Sequence, residues 1–154
     1  MKERLDKVDL EVLRILQDSG RITNAELAKR VGLSPPSMLQ RVRRLEDSGF
    51  ITGYVATVNH ERLGFPLVVM AMVRLAMHQD EPIEKFIDSI KKIPEVLECH
   101  HVSGDYDFMM KIVARDMHDY ERIVREKLSK VKSVGRIHSC FVLNTNKDIH
   151  ALPL

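Results

Sequence analysis

The sequence predicts an α+β fold in two parts, a bundle of three short helices followed by a βαββαβ domain. Helix-start signatures occur three times in the first fifty residues. Beyond residue 66 the patterning runs strand, helix, strand, strand, helix, strand. Between the parts, residues 51–58 alternate with β-branched side chains and read as a linking strand. The expected boundaries are 1–50 for the helical domain, 51–66 for the linker strand and hinge, and 67–154 for the second domain.

Asp6 is an N-cap for the first helix, with Leu5 before it and Leu10 inside it as a hydrophobic staple. Val8, Val12, Ile15 and Leu16 recur at helical spacing, and Gly20 offers an exit. Thr23 and Glu26 form a capping box for a second helix running to Val31, stapled by Ile22 and Leu27. Ser34 caps the third, with Pro35 at the first helical position, where its missing N–H costs nothing. Only Val31, Gly32 and Leu33 separate helices two and three, and a glycine there permits the positive φ of a steep crossing. That is the connection of a helix-turn-helix.

Charge separates this reading from a plain three-helix bundle. The 154 residues carry a net charge of +2, and the whole excess lies before Gly64, with 11 basic against 9 acidic residues there and 13 of each after it. Lys29 to Arg44 contains Lys29, Arg30, Arg41, Arg43 and Arg44 and no acid. A solvated helix interleaves both signs because like charges one turn apart repel; an acid-free stretch suits a polyanion. At about 100° per residue, Met38, Val42 and Leu45 face inward, while Ser37, Gln40 and Arg44 face outward, flanked by Pro36, Arg41 and Arg43. Arg pairs with guanine and Gln with adenine in the major groove of DNA. Ser34, Pro36, Ser37, Gln40, Arg41, Arg43, Arg44 and Lys29 are therefore the expected DNA-contacting set, with Arg43 and Lys29 on phosphates.

In the second part, strands are expected over 67–77, 96–103, 106–114 and 134–145. Helices are expected over 82–92, striped by Ile83, Phe86, Ile87 and Ile90, and over 117–130, striped by Met117, Tyr120, Val124 and Leu128 behind Asp116. This order is the ferredoxin-like, split-βαβ plan, with two helices on one face of an antiparallel sheet. The other face, rich in Val, Met, Ile and Phe, needs a cover, and a second subunit supplies it, giving a homodimer.

Several classes are set aside. The most apolar run, 65–73, is far short of the roughly 20 residues of a membrane span. No secretory leader opens the chain, and two isolated cysteines, Cys99 and Cys140, read as free thiols of a cytoplasmic protein. No nucleophile, acid–base pair or phosphate-binding glycine loop points to an enzyme, and no cofactor is expected. A metal site drawn from Cys99, His100, His101, Asp105 and Asp107 is the competing idea for the second domain. Alternation opposes it, since Cys99 and His101 share one strand face and His100 takes the other.

The ordered set of local motifs resembles the leucine-responsive regulatory protein/AsnC family of transcriptional regulators over essentially the whole chain. It comprises Leu5-Asp6 with Asp9, Gly20-Arg21-Ile22, Val31-Gly32-Leu33-Ser34-Pro35, Arg41-Val42-Arg43-Arg44-Leu45-Glu46 and Gly49-Phe50-Ile51, then Glu98-Cys99-His100 and Val102-Ser103-Gly104-Asp105-Tyr106-Asp107. The resemblance implies a DNA-binding regulator whose second domain dimerises, assembles further to tetramers or octamers, and binds a small amino acid, with leucine or methionine favoured. The implied effector positions are His101, the loop Ser103, Gly104, Asp105, Tyr106 and Asp107, and the strand residues Arg136, His138 and Cys140. Gly104-Asp105 is also expected to make a two-residue hairpin turn. The chain departs from its relatives at Pro35-Pro36, which removes a second N–H from the first turn of helix three, and at Leu39 beside the outward face.

Overall fold

The computed structural model describes residues 4–76 and 80–154. It resolves into two compact units, Met1–Thr57 with Lys147–Leu154, and Val58–Asn146. No helix among the described residues is long and apolar enough to cross a membrane.

The first unit holds α1 (Lys7–Asp18), α2 (Asn24–Val31) and α3 (Pro35–Asp47). All three caps sit at Asp6, Thr23 and Ser34. The Thr23 box closes as expected, with Glu26 N donating to Thr23 Oγ1 at 3.2 Å and Thr23 N to Glu26 Oε2 at 3.2 Å. Asp6 turns out to have a reciprocal partner too: Asp9 N donates to Asp6 Oδ1 at 2.7 Å, and Asp6 N to Asp9 Oδ2 at 2.9 Å. Gly32 stands at φ +71°, and Leu33 N donates to Ala28 O at 2.9 Å, so the turn is closed on the same carbonyl that accepts the Gly32 N–H. Val12, Leu27, Ala28, Met38, Val42 and Leu45 form the core, and apolar burial of this kind yields about 1.5–3 kcal/mol per large side chain.

Two expectations change here. Residues 51–58 are extended but make no ladder, and Val55 is 92% exposed. A strand needs a neighbour for its N–H and C=O groups, and none of the described residues provides one. The tail Lys147–Leu154, expected in the second domain, belongs to the first unit. Leu152 N donates to Gln17 Oε1 at 2.6 Å, Gln17 Nε2 to Leu152 O at 3.3 Å, and Arg14 Nε to Leu154 O at 2.6 Å.

The second unit contains β1 (Leu67–Leu75), α4 (Asp80–Ile90), β2 (Val96–His101), β3 (Phe108–Ala114), α5 (Met117–Glu126), a 3-10 turn (Leu128–Lys130) and β4 (Val134–Phe141). The sheet is antiparallel throughout in the order β2-β3-β1-β4, as the split-βαβ plan requires. Val69, Ala71 and Val73 of β1 pair with Ile112, Met110 and Phe108 of β3, and this face is buried with Phe86, Ile90, Tyr120, Ile123 and Leu128. On the opposite face Val68, Met70, Met72 and Met109 are only half-buried, bordered by Arg74, Lys111, Arg136 and His138. Met77, expected to end β1, lies outside the described residues. Strand β4 ends at Phe141 rather than residue 145, because its pairing with β1 runs out at Val69.

The hairpin between β2 and β3 is a six-residue loop, 102–107, instead of a two-residue turn. Val102 N donates to Asp107 O at 2.9 Å across its base, while Asp107 N donates to Val73 O at 2.9 Å. Its end is thus bound to β1, and the excursion is longer than Gly104-Asp105 alone needs.

Candidate nucleic-acid interface and effector loop

Helix α3 leaves Ser34, Pro36, Ser37, Gln40 and Arg43 exposed along one side, with Arg44 and the partly exposed Leu39 beside them. Ser34 Oγ accepts from Ser37 N at 3.4 Å and bonds Ser37 Oγ at 3.0 Å, so both hydroxyls are oriented at the helix start. A shallow groove is lined by Gln40, Arg43, Arg44, Asp47 and Ser48. Lys29 is exposed in the last turn of α2. Among the described residues no ion pair is made by Lys29 or Arg43, and both cations face solvent.

Arg41 does not join that outward set. Its Nη1 donates to Asp6 Oδ2 at 2.8 Å and to Asp9 Oδ1 at 2.5 Å, and its side chain is 21% exposed. Arg44 Nη2 reaches the same Asp9 Oδ1 at 2.5 Å while its side chain stays 46% exposed. Asp9 is fully buried. The Asp6 carboxyl is held below the usual carboxylate range by the Asp9 N–H and then by Arg41. The Arg41 guanidinium is held above its usual range, chiefly by Asp6. A signal for this was present in the sequence: Asp9 sits one turn before Val12 on the inward stripe of α1, and an acid on a buried stripe needs a cation from across the core.

In the second unit, Ser103, Gly104 and Asp105 project into solvent, with Gly104 at φ +119°, a value suited to glycine. Asp107 Oδ2 accepts the Leu75 N–H at 2.7 Å, anchoring the loop to the end of β1. Tyr106 and His138 bring their rings to 6.1 Å. Arg136, His138 and Cys140 pair with Arg74, Met72 and Met70 on the face that the helices leave open. His101 is not brought to them. It pairs with the buried Phe108 and stacks on its ring at 4.8 Å, on the helix-covered face. Cys99 and Cys140 are free, exposed thiols on the two outermost strands, and partial burial pushes the Cys99 thiol up. Among the described residues no three His, Cys, Asp or Glu side chains converge as metal ligands.

The Lrp/AsnC ligand binding domain family matches residues 68–152, and a winged helix-turn-helix DNA-binding family matches residues 5–52. The leucine-responsive regulatory proteins of Klebsiella pneumoniae and Escherichia coli (strain K12) are each 40% identical over 148 residues, covering 96% of this chain and 90% of the relative. A transcriptional regulator from Neisseria meningitidis, solved as an L-Met complex, superposes with a TM-score of 0.93 at 35% identity over 97% of both chains. An AsnC family transcriptional regulator from Agrobacterium tumefaciens does so with a TM-score of 0.90 at 30% identity, again over 97% of both.

Proposed function

The chain belongs to the Lrp/AsnC family of DNA-binding transcriptional regulators, which carry an amino-acid-binding domain, and we propose that it regulates transcription in the cytoplasm in response to leucine or methionine. The observation that carries the DNA half is the outward side of α3, where Ser37, Gln40, Arg43 and Arg44 stand together before the first acids, Glu46 and Asp47. Gln40, Arg44 and Ser37 read base edges, with Ser34 and Pro36 at the groove entry. Lys29 and Arg43 hold phosphates, a division typical of such interfaces.

The effector half rests on the loop 103–107 and the open strand face beside it. Turn N–H groups suit a carboxylate, an acid such as Asp107 suits an ammonium, and the Tyr106 and His138 rings offer surface to an apolar side chain. The L-Met complex of the Neisseria meningitidis regulator and the leucine-responsive relatives favour those two amino acids. The half-buried methionines of the open sheet face support pairing of two copies there, with tetramers or octamers built from such dimers. The protein works by binding DNA and effector and not as an enzyme.

A thermal-shift screen of the twenty amino acids tests the effector reading, since a ligand of the native state raises stability by about 2.7 kcal/mol at one hundred times its dissociation constant. Leucine or methionine is expected to raise the melting temperature of the full chain at millimolar concentration. No shift with either rules out this effector assignment.

A further inference from the structure

Among the described residues Asp9 is the one buried carboxylate, and it lies on α1 facing the helix that reads DNA. We propose that Asp9 and Arg41 form a positioning pair that sets the rotation of α3, and that Arg41 makes no contact with DNA. The inference rests on α3 being the reading helix.

The hydrogen bonds carry the case. Asp9 Oδ1 accepts from Arg41 Nη1 and Arg44 Nη2, each at 2.5 Å, and Asp9 Oδ2 accepts from Asp6 N at 2.9 Å. Asp6 completes the set, accepting from Arg41 Nη1 at 2.8 Å and from Asp9 N at 2.7 Å. The two carboxylates that cap α1 therefore grip α3 at two points one turn apart. Met38, Val42 and Leu45 fix how closely α3 approaches the core, but apolar contacts are non-directional and tolerate a helix turning about its axis. Charge-assisted hydrogen bonds are directional. A helix with its side chains is about 5–6 Å in radius, so a turn of about 20° carries a side-chain tip through about 2 Å. That exceeds the tolerance of a base hydrogen bond, roughly 2.7–3.2 Å.

Arg41 cannot leave for a phosphate without stripping a partner from a carboxylate that has no access to water, which is the costly way to break a buried pair. Arg44 is divided differently. One nitrogen holds Asp9 while the half-exposed guanidinium still lines the groove with Gln40 and Arg43.

The test compares the wild-type chain with Arg41→Gln, Arg41→Lys and Asp9→Asn. Binding is measured on a duplex that the wild-type chain enriches from a random-sequence library, and on a scrambled duplex of equal length and composition. A phosphate contact contributes about 0.9 to the slope of log affinity against log salt. The positioning role predicts that each variant loses at least tenfold in preference for the enriched duplex, while the salt slope on the scrambled duplex stays within about 0.3 of wild type, one third of a phosphate contact. Arg41→Lys is the variant least prone to unfold; it keeps the cation but replaces the planar guanidinium, whose Nη1 bridges both carboxylates, with a flexible ammonium that does not hold that direction. A slope that falls by about 0.9 in Arg41→Gln and is restored in Arg41→Lys would make Arg41 a phosphate ligand and overturn the proposal. Wild-type preference in Arg41→Lys and Asp9→Asn would overturn it equally. A wild-type chain that enriches no sequence would refute the reading of α3, and this proposal with it; enrichment followed by unchanged discrimination in the variants would refute the proposal alone.

Discussion

Gly135→Ala places a methyl where two opposing effects can be weighed. Glycine in a strand costs about 0.5–1 kcal/mol relative to alanine through chain entropy, so an unobstructed replacement stabilises. At residue 135 the space is not there. A Cβ would lie 3.0 Å from Ala76 N, 3.1 Å from Ala76 Cα and 3.2 Å from Arg74 O, all backbone atoms. These atoms cannot readily retreat, because Ala76 N donates to Ser133 O at 2.9 Å and the β1–β4 register shifts between Arg74 and Leu75 at this point. Overpacking of this kind costs about 1–3 kcal/mol, which exceeds the entropy gain and leaves a net loss of about 1 kcal/mol. For a unit of this size that lowers the melting temperature by about 4–8 °C, read by calorimetry on the full chain. Gly53→Ala is the control: nothing lies within 4 Å of its Cβ and its φ is not positive, so its melting temperature is expected to hold or rise. A Gly135→Ala protein that melts at or above wild type would refute the steric account.

Acidification should destabilise the chain below about pH 4. The carboxyls of Asp6, Glu26, Glu98 and Asp119 are held below their ordinary values of 3.8 for Asp and 4.5 for Glu by hydrogen bonds, led by the Asp9 N–H, the Thr23 N–H, His100 and Arg122 respectively. Burial is the largest single influence on Glu95 and pushes it up, but the Lys127 ammonium, a backbone N–H and the Arg122 charge together outweigh it and the net shift is downward. Folded values below unfolded ones mean stability that is present above the unfolded pKa and lost as pH falls through the folded one. Urea midpoints between pH 6 and 3 check this, and a flat profile would contradict it. Removal of Lys147–Leu154 should lower the melting temperature of the helical unit, since it deletes the backbone partners of Gln17 and Arg14; an unchanged helical melt by circular dichroism would show that the tail contributes nothing.

Much of the fold was legible because its signals are local. Each cap joins residues three apart, so Asp6, Thr23 and Ser34 could be read from spacing. Likewise Ile83, Phe86, Ile87 and Ile90 announce the buried stripe of α4 whatever they pack against. The outward side of α3 was legible for Gln40 and Arg43, which point away from the core and keep solvent as their partner. Arg41 was not, because Asp9 is 32 residues away and only folding brings them together.

Sequence alone thus determined which segments after residue 66 become helices and strands, where the first three helices begin, and which side of α3 carries cation without acid. Tertiary structure decided what depends on a distant partner. Residues 51–58 have strand chemistry but no neighbour to complete a ladder, and loop 102–107 is set by where Asp107 bonds β1. The tail joins the first unit through Gln17, and one of six helix-three candidates, Arg41, bonds a buried carboxylate. The physical reason is the same in each case. Propensity and periodicity act within a few residues along the chain, whereas hydrogen bonds and ion pairs are satisfied by whatever the folded chain places within about 3 Å.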